Sequence, residues 1–180
     1  MSKAVNVESL LRLMIPGVVL VVTFVFALGS AAVPHATTGR FVSPDNTLLA
    51  TVVPADKQKG FEEQESFVEI RSKDGARLRK HDFSSSDGEH GYGVDGAGWT
   101  PDSQFFVFRL RSSGGQSPMY APVVFWSRRK NRFYHLDDYT ADMTFSDAAP
   151  DKVKVDSWPD LKPATVSLHA LQDREVSELR

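Results

Sequence analysis

Two stretches of the chain repeat the same order of polar and apolar positions. Phe41–Val53 reads FVSPDNTLLATVV, and Trp99–Leu110 reads WTPDSQFFVFRL. In each stretch an aromatic residue comes before a short polar turn, and a run of β-branched and bulky apolar residues follows. Such runs, bounded by Pro, Asp and Asn, are typical of β-strands. The pattern therefore predicts two strand–turn–strand units of the same design.

Shorter patterns predict further strands that pair as hairpins. Ser66–Ser72 alternates apolar and charged residues, and the Asp-Gly of Lys73–Gly75 is typical of a tight hairpin turn. Ala76–Phe83 is the predicted partner strand. Ala121–Ser127 and Arg132–Asp138 predict a second hairpin around an Arg-Arg-Lys-Asn turn.

A third, weaker unit follows these hairpins. Ala141–Trp158 contains FSDAAPD, a looser copy of the turn phrase placed at Ser146, and then the alternating run KVKVDSW. Ala164–Leu171 is a further predicted strand. Gln104–Leu110 has apolar residues on both sides, so we expect it at the centre of the molecule. Ser84–Gly98 is rich in Gly and Ser, which predicts a loop.

The first 32 residues have the pattern of a secretory signal. The basic residues Lys3 and Arg12 precede an uncharged apolar run, Leu13–Leu28. After this run, Ser30-Ala31-Ala32 resembles a cleavage site of small residues. A retained membrane anchor is the alternative, since about 20 apolar residues span a bilayer. In both cases we expect residues 33–171, a β domain, and residues 172–180, a polar tail, to lie outside the cytoplasm, in the periplasm or the medium.

Composition and charge narrow the class of protein further. The chain has 180 residues, 41% of them hydrophobic and 24% charged, which suits one domain with a packed core. The net charge of -2 argues against nucleic acid as the main partner, because binding phosphates needs a basic surplus. The absence of cysteine excludes disulfides, Cys-ligated zinc and thiol catalysis.

The repeated phrase resembles the Ser-Pro-Asp-Gly repeat of TolB-type, WD-like β-propellers. The residues that carry this resemblance are Ser43, Pro44, Asp45 and Asn46 in one copy, and Thr100, Pro101, Asp102 and Ser103 in the other. Asn46 and Ser103 stand where the repeat usually has Gly, at a position that favours positive φ. The resemblance implies propeller blades of several short strands, with the aromatic residue before each turn packed between blades.

The expected fold is therefore all-β, with about three antiparallel, propeller-like blades after an N-terminal apolar helix. Closed propellers have about four blades or more, and two clear units and one weak unit fall short of that number. Because exposed sheet edges favour aggregation, three arrangements remain open. They are an open stack of blades capped by loops, closure by oligomerisation, and collapse into a β-sandwich.

The candidate binding residues lie on two loops. The turn Ser127–Arg132 concentrates cations, which suits lipid head groups, an acidic glycan or an acidic partner, although a solvated turn is the simpler reading. The loop Arg111–Pro122 carries a Met and a Tyr, which either bind a partner or cover one end of the sheets. The candidates are Arg128, Arg129, Lys130, Arg132, Met119 and Tyr120.

Metal and catalytic signals are weak. Gly91–Gly96, GYGVDG, matches part of a calcium-binding turn that works in tandem arrays, and a flexible glycine loop is the alternative. The hard oxygen ligands for calcium would be Asp87, Glu89 and Asp95. His81, His90 and His135 lack metal-ligand spacing, and there is no Gly-x-Ser-x-Gly motif, so no catalytic residue is assigned.

The sequence as a whole predicts an exported, propeller-like binding or scaffolding module of the cell envelope, without enzymatic activity or a cofactor. Its partner would be a protein or another envelope component, with homo-oligomerisation as a further option. Membrane contact is expected only if residues 1–32 are retained. The alternatives are an extracytoplasmic hydrolase or metal-dependent enzyme with its site in loops 87–98 and 111–122, or a truncated remnant of a longer propeller.

Overall fold

The computed structural model describes residues 31–32, 39–60, 64–114, 121–136, 139–146, 149–157 and 159–172. Strands dominate this part of the chain, and one short helix follows them. The elements are β1 (Ala31–Ala32), β2 (Gly39–Val42), β3 (Leu48–Pro54), β4 (Ser66–Ser72), β5 (Arg77–Asp82), β6 (Tyr92–Trp99), β7 (Phe105–Ser112), β8 (Val123–Ser127), β9 (Arg132–Leu136), β10 (Tyr139–Ser146), β11 (Ala149–Ser157), β12 (Lys162–Ser167) and α1 (Leu168–Gln172).

The strands form three antiparallel sheets of four strands each. The first sheet has the order β2-β3-β4-β5 and the second sheet the order β6-β7-β8-β9, so each strand pairs with the next one along the chain. The third sheet has the order β1-β10-β11-β12 and takes its first strand from before the first sheet. None of these sheets closes on itself. The predicted all-β class with antiparallel sheets is confirmed.

The second sheet lies between the other two, because both of its faces are apolar. One face packs on the first sheet and the other on the third, which gives two separate hydrophobic cores. Strand β7 serves both, since Phe106 and Phe108 belong to the first core while Phe105 and Val107 belong to the second. The predicted central position of Gln104–Leu110 is therefore confirmed.

Alternation along β4 and β11 places buried apolar side chains of these strands in the same two cores. Ser66–Ser72 forms β4 with its predicted bounds, and Gly75 in the following turn has a φ of 95°. In β11, Val153 and Val155 are buried while the lysines between and before them are exposed. The predicted hairpins and the alternating run near the C-terminus are thus confirmed as strands.

The prediction of a loop over Ser84–Gly98 is wrong in its second half, which forms β6. Glycine is common in loops, but Gly91 and Gly93 allow close packing of the backbone here. A Cβ on Gly93 would lie 2.2 Å from the Gln64 carbonyl oxygen, and one on Gly91 would lie 2.6 Å from the Glu65 carboxylate. Gly96 has a φ of 130° at an irregularity of the β6–β7 pairing.

Two expectations near the C-terminus also need correction. Ala164–Leu171 is a strand only to Ser167, and Leu168–Gln172 is helical with Leu168 and Gln172 buried. The third copy of the turn phrase differs from the other two, because Ser146 lies within β10 and pairs with Ala149. The two residues between them are outside the described part of the chain.

The proposed signal or anchor lies almost wholly outside the described residues, as does most of the polar tail. Only Ala31 and Ala32 of the first 32 residues are described, and they pair with Phe145 and Thr144 of β10. Among the described residues, no helix is long and apolar enough to cross a membrane.

Candidate functional site

The two repeated turns have the same internal hydrogen bonds. Ser43 Oγ donates to Asp45 Oδ1 at 2.6 Å, and Thr100 Oγ1 donates to Asp102 Oδ1 at 2.7 Å. The same two hydroxyls accept the N–H of the first strand residue after the turn, at 2.9 and 3.0 Å. This accounts for Ser or Thr at the first position and Asp at the third, because each side chain replaces a backbone bond that the turn cannot make.

Asn46 and Ser103 complete the likeness of the two turns. Their φ angles are 56° and 61°, the left-handed region that the sequence suggested for the fourth position. The N–H of each donates to the first turn residue's carbonyl oxygen, at 2.8 and 2.9 Å. The chain therefore contains two turns of one structure, as the repeated phrase predicted.

The turns also join the first sheet to the second. Trp99 Nε1 donates to the Phe41 carbonyl at 2.8 Å, and the Asp45 N–H donates to the buried Ser103 Oγ at 3.0 Å. Arg128 Nη1 forms an ion pair with Asp45 Oδ2 at 2.6 Å. The hydrogen bond from Ser43, with those from Arg128 and Thr47, holds the pKa of Asp45 well below its usual range. Arg128 is thus a structural contact between the sheets.

The other cations of the predicted basic turn lie beside a second basic segment. Asn131 Nδ2 donates to the Leu78 carbonyl of β5 at 3.2 Å, which brings the β8–β9 turn against the edge strand of the first sheet. Both segments are exposed. We call the combined set the basic surface; it consists of Arg77, Arg79, Lys80, Arg129, Lys130 and Arg132.

Arg77 and Lys80 of this surface have carboxylates beside them. Glu69 is 3.8 Å from Arg77, and Asp82 is 3.6 Å from Lys80. The sequence identified the turn but not the contribution of β5, because the bond between Asn131 and Leu78 joins residues that are far apart in the chain.

A different site, at the start of β6, is organised by Glu65. This side chain is only 3% exposed and accepts four hydrogen bonds: from Ser85 N at 2.8 Å, Ser85 Oγ at 2.7 Å, Gly91 N at 2.6 Å and Ser113 Oγ at 2.8 Å. Burial raises the pKa of Glu65, but these bonds outweigh it and the net pKa lies below the ordinary 4.5. The carboxylate therefore fixes the loop before β6 to the end of β7.

Two open clefts flank the loop that Glu65 holds. One of about 320 Å³ is lined by Lys59, Gly88, Glu89, His90, Ser113 and Gly114, and one of about 310 Å³ lies on the other side of Lys59. Lys59 separates them by donating from Nζ to the Gly88 carbonyl. The described parts of loops 87–98 and 111–122 thus meet, as the enzyme alternative required.

The three predicted calcium ligands have separate roles in the structure. Asp87 Oδ2 lies 2.6 Å from His90 Nδ1, and the N–H of Glu89 donates to Oδ1 of Asp87 at 3.0 Å. Asp95 pairs with Arg109 at 2.7 Å, within the β6–β7 hairpin. Within the described ranges, no three His, Asp or Glu side chains are grouped so that they could hold a metal ion.

The histidines divide into packed and exposed side chains. His81 lies against the rings of Phe83 and Phe133, and burial lowers its pKa. His169 packs on Phe105 in the second core. His90 is exposed, and its hydrogen bond with Asp87 raises its pKa above 6.5. Of these three histidines, His90 is the exposed one, and it lines the cleft of about 320 Å³.

Met119 and Tyr120, the other predicted binding residues, lie outside the described part of the chain. Comparison with known proteins finds no family model that matches the chain and no curated protein that matches its sequence.

Proposed function

We propose that the chain is an exported, propeller-like binding module of the cell envelope that contacts an acidic partner through the basic surface. The observation that carries this proposal is the bond from Asn131 to the Leu78 carbonyl, which unites two basic segments. Two observations support a propeller-like architecture. The two repeated turns have the same conformation, and in the first two sheets each strand pairs with the next one along the chain. Export rests on the sequence of residues 1–32.

The charge distribution supports binding in preference to a merely solvated turn. The whole chain has a net charge of -2, yet this one surface gathers six exposed cations. A local excess of one sign attracts a partner of opposite sign and speeds its association, and salt weakens the effect.

The basic surface can be tested with a labelled poly-glutamate peptide as the acidic probe. We expect the full chain to bind it with an affinity that falls as salt rises, and the triple change of Arg129, Lys130 and Arg132 to Ser to weaken binding at least tenfold. The matched control changes three exposed lysines of the third sheet to Ser, namely Lys152, Lys154 and Lys162. Equal losses in both triple variants would show non-specific attraction and overturn the proposal.

A hydrolase remains the second candidate function, because one cleft brings His90 and Ser113 together. His90 already has a carboxylate partner in Asp87, as a general base would. Ser113, however, donates its hydroxyl to Glu65 and is not aligned as a nucleophile. A fluorophosphonate probe tests this function: labelling of Ser113 that is lost in His90→Ala would support it, and absence of labelling would count against it.

A further inference from the structure

The outer face of the first sheet has the same strand positions as the face of the second sheet that packs on the first sheet. Strand pairing shows which positions of the two sheets correspond. Leu49 is the second residue of β3 and pairs with Arg71. Phe106 is the second residue of β7 and pairs with Trp126. By the same register, Val42 corresponds to Trp99. One face of the first sheet is therefore built like a face that is covered elsewhere in the same molecule.

The covered face shows what its positions bind. On the second sheet, Ser103 accepts the Asp45 N–H, Arg128 pairs with the Asp45 carboxylate, and Trp99 bonds the carbonyl two residues before the turn. These three groups together bind an aspartate-bearing turn and the strand before it, through hydrogen bonds to the backbone and an ion pair with the carboxylate.

The equivalent groups on the first sheet are exposed. Asn46 stands at the place of Ser103 and shares its positive φ. Lys73 stands at the place of Arg128, since Lys73 N donates to the Thr47 carbonyl as Arg128 N donates to the Gln104 carbonyl, both at 2.9 Å. Val42, at the place of Trp99, is 58% exposed.

These positions line a single open cleft of about 280 Å³. Its described lining includes three cations, Arg40, Arg71 and Lys73, together with Val42 and Leu49. Arg71 pairs with Glu69 at 3.0 Å, which leaves Lys73 as the cation at the place of Arg128. A cation beside apolar side chains suits a carboxylate on a polar turn that has apolar residues on either side.

We propose that this cleft is a docking site for an aspartate-bearing turn of a partner protein, which lies on the first sheet as the Ser43–Thr47 turn lies on the second. A second copy of this chain is a poorer occupant, because the outward face of its third sheet presents Lys152 and Lys154 to a basic cleft. This inference goes beyond the proposed function and uses other residues than the basic surface.

The test uses a fluorescent peptide with the sequence of residues 39–54, which includes the turn that the second sheet binds. The fluorescence anisotropy of the peptide is measured as the full chain is added in increasing concentration. We expect saturable binding that weakens at least fivefold when the peptide's Asp is changed to Asn, and also when the protein carries Lys73→Ala. The matched control, Lys57→Ala, removes another exposed lysine and should bind as the unchanged chain does.

Three outcomes would overturn the proposal. The first is no saturable binding at millimolar protein, and the second is equal binding of the Asp and Asn peptides. The third is self-association of the unchanged chain in sedimentation that Lys73→Ala abolishes, which would make a second copy the occupant. A further result separates this proposal from the proposed function. If the Arg129, Lys130 and Arg132 triple variant no longer binds the peptide while Lys73→Ala still binds it, the peptide binds to the basic surface. The docking site is then refuted and the proposed function stands.

Discussion

Changing Glu65 to Gln tests whether one buried carboxylate organises the loop before β6. The shape of the side chain is preserved, but the charge is lost and one oxygen becomes an N–H₂ group. That group would face the Ser85 N–H, which now donates to Glu65 Oε2 at 2.8 Å. Two donors would then meet, and the three remaining bonds, from Ser85 Oγ, Gly91 N and Ser113 Oγ, would become neutral ones.

The expected cost follows from the number of bonds. A hydrogen bond to a charged group contributes about 1 kcal/mol more than a neutral one, and an unsatisfied donor costs about 1 kcal/mol or more. Four bonds are affected. Because a neutral amide costs less to bury than a carboxylate, part of this is offset, and we expect the free energy of unfolding to fall by about 3 kcal/mol.

Urea unfolding, followed by the fluorescence of the buried tryptophans, measures this free energy. Glu89→Gln is the matched control, because Glu89 lies on the same loop but is exposed, and it should change stability by less than about 0.5 kcal/mol. The pKa of Glu65 is lowered on folding, so its contribution is present above pH 4.5 and is lost as the pH falls through the folded value. A Gln variant as stable as the control at pH 7, or a difference that grows in acid, would refute the reasoning.

Three further results are expected. In NMR titrations His90 should titrate above pH 6.5, because a carboxylate favours its charged form. Half-buried His81 should titrate below pH 6.5, so a shared midpoint would contradict both assignments. Gly93→Ala should lower the free energy of unfolding, measured in urea, by about 1–3 kcal/mol, since the added methyl meets a backbone oxygen. Gly60→Ala is the control, because its added methyl meets nothing within 4 Å. Equal effects of the two changes would count against close packing at Gly93. Trp99→Phe should cost about 1–2 kcal/mol in the same assay through the lost bond to the first sheet, and no change would show that the bond is dispensable.

The strands and repeated turns could be predicted because their causes are local. Alternation set the bounds of β4, and the Ser-Pro-Asp phrase specified side-chain bonds within five residues of one another. A run that is apolar on both sides, as in β7, can be stable only between two layers, so its central place also followed from the sequence.

The parts that could not be predicted depend on contacts between distant residues. Glycine is common in loops, and nothing near Gly93 indicates that its hydrogen is needed for the approach of Gln64. In the same way, Glu65 sits in a polar stretch whose composition suggests solvent, and only folding brings its four donors around it. The basic surface needed the contact of Asn131 with β5, which no local pattern contains.

The placement of β1 in the third sheet has a consequence for the order in which the molecule assembles. A chain leaves the ribosome, and enters any export channel, from its N-terminus. The first two sheets consist of consecutive strands and can form as they emerge. Ala31 and Ala32 emerge before either of them, but their partner β10 comes only after both. In a chain that keeps Ala31 and Ala32, the last layer is therefore completed by residues made before either of the first two sheets, and a nascent chain that is stopped before Tyr139 leaves them without their partner strand.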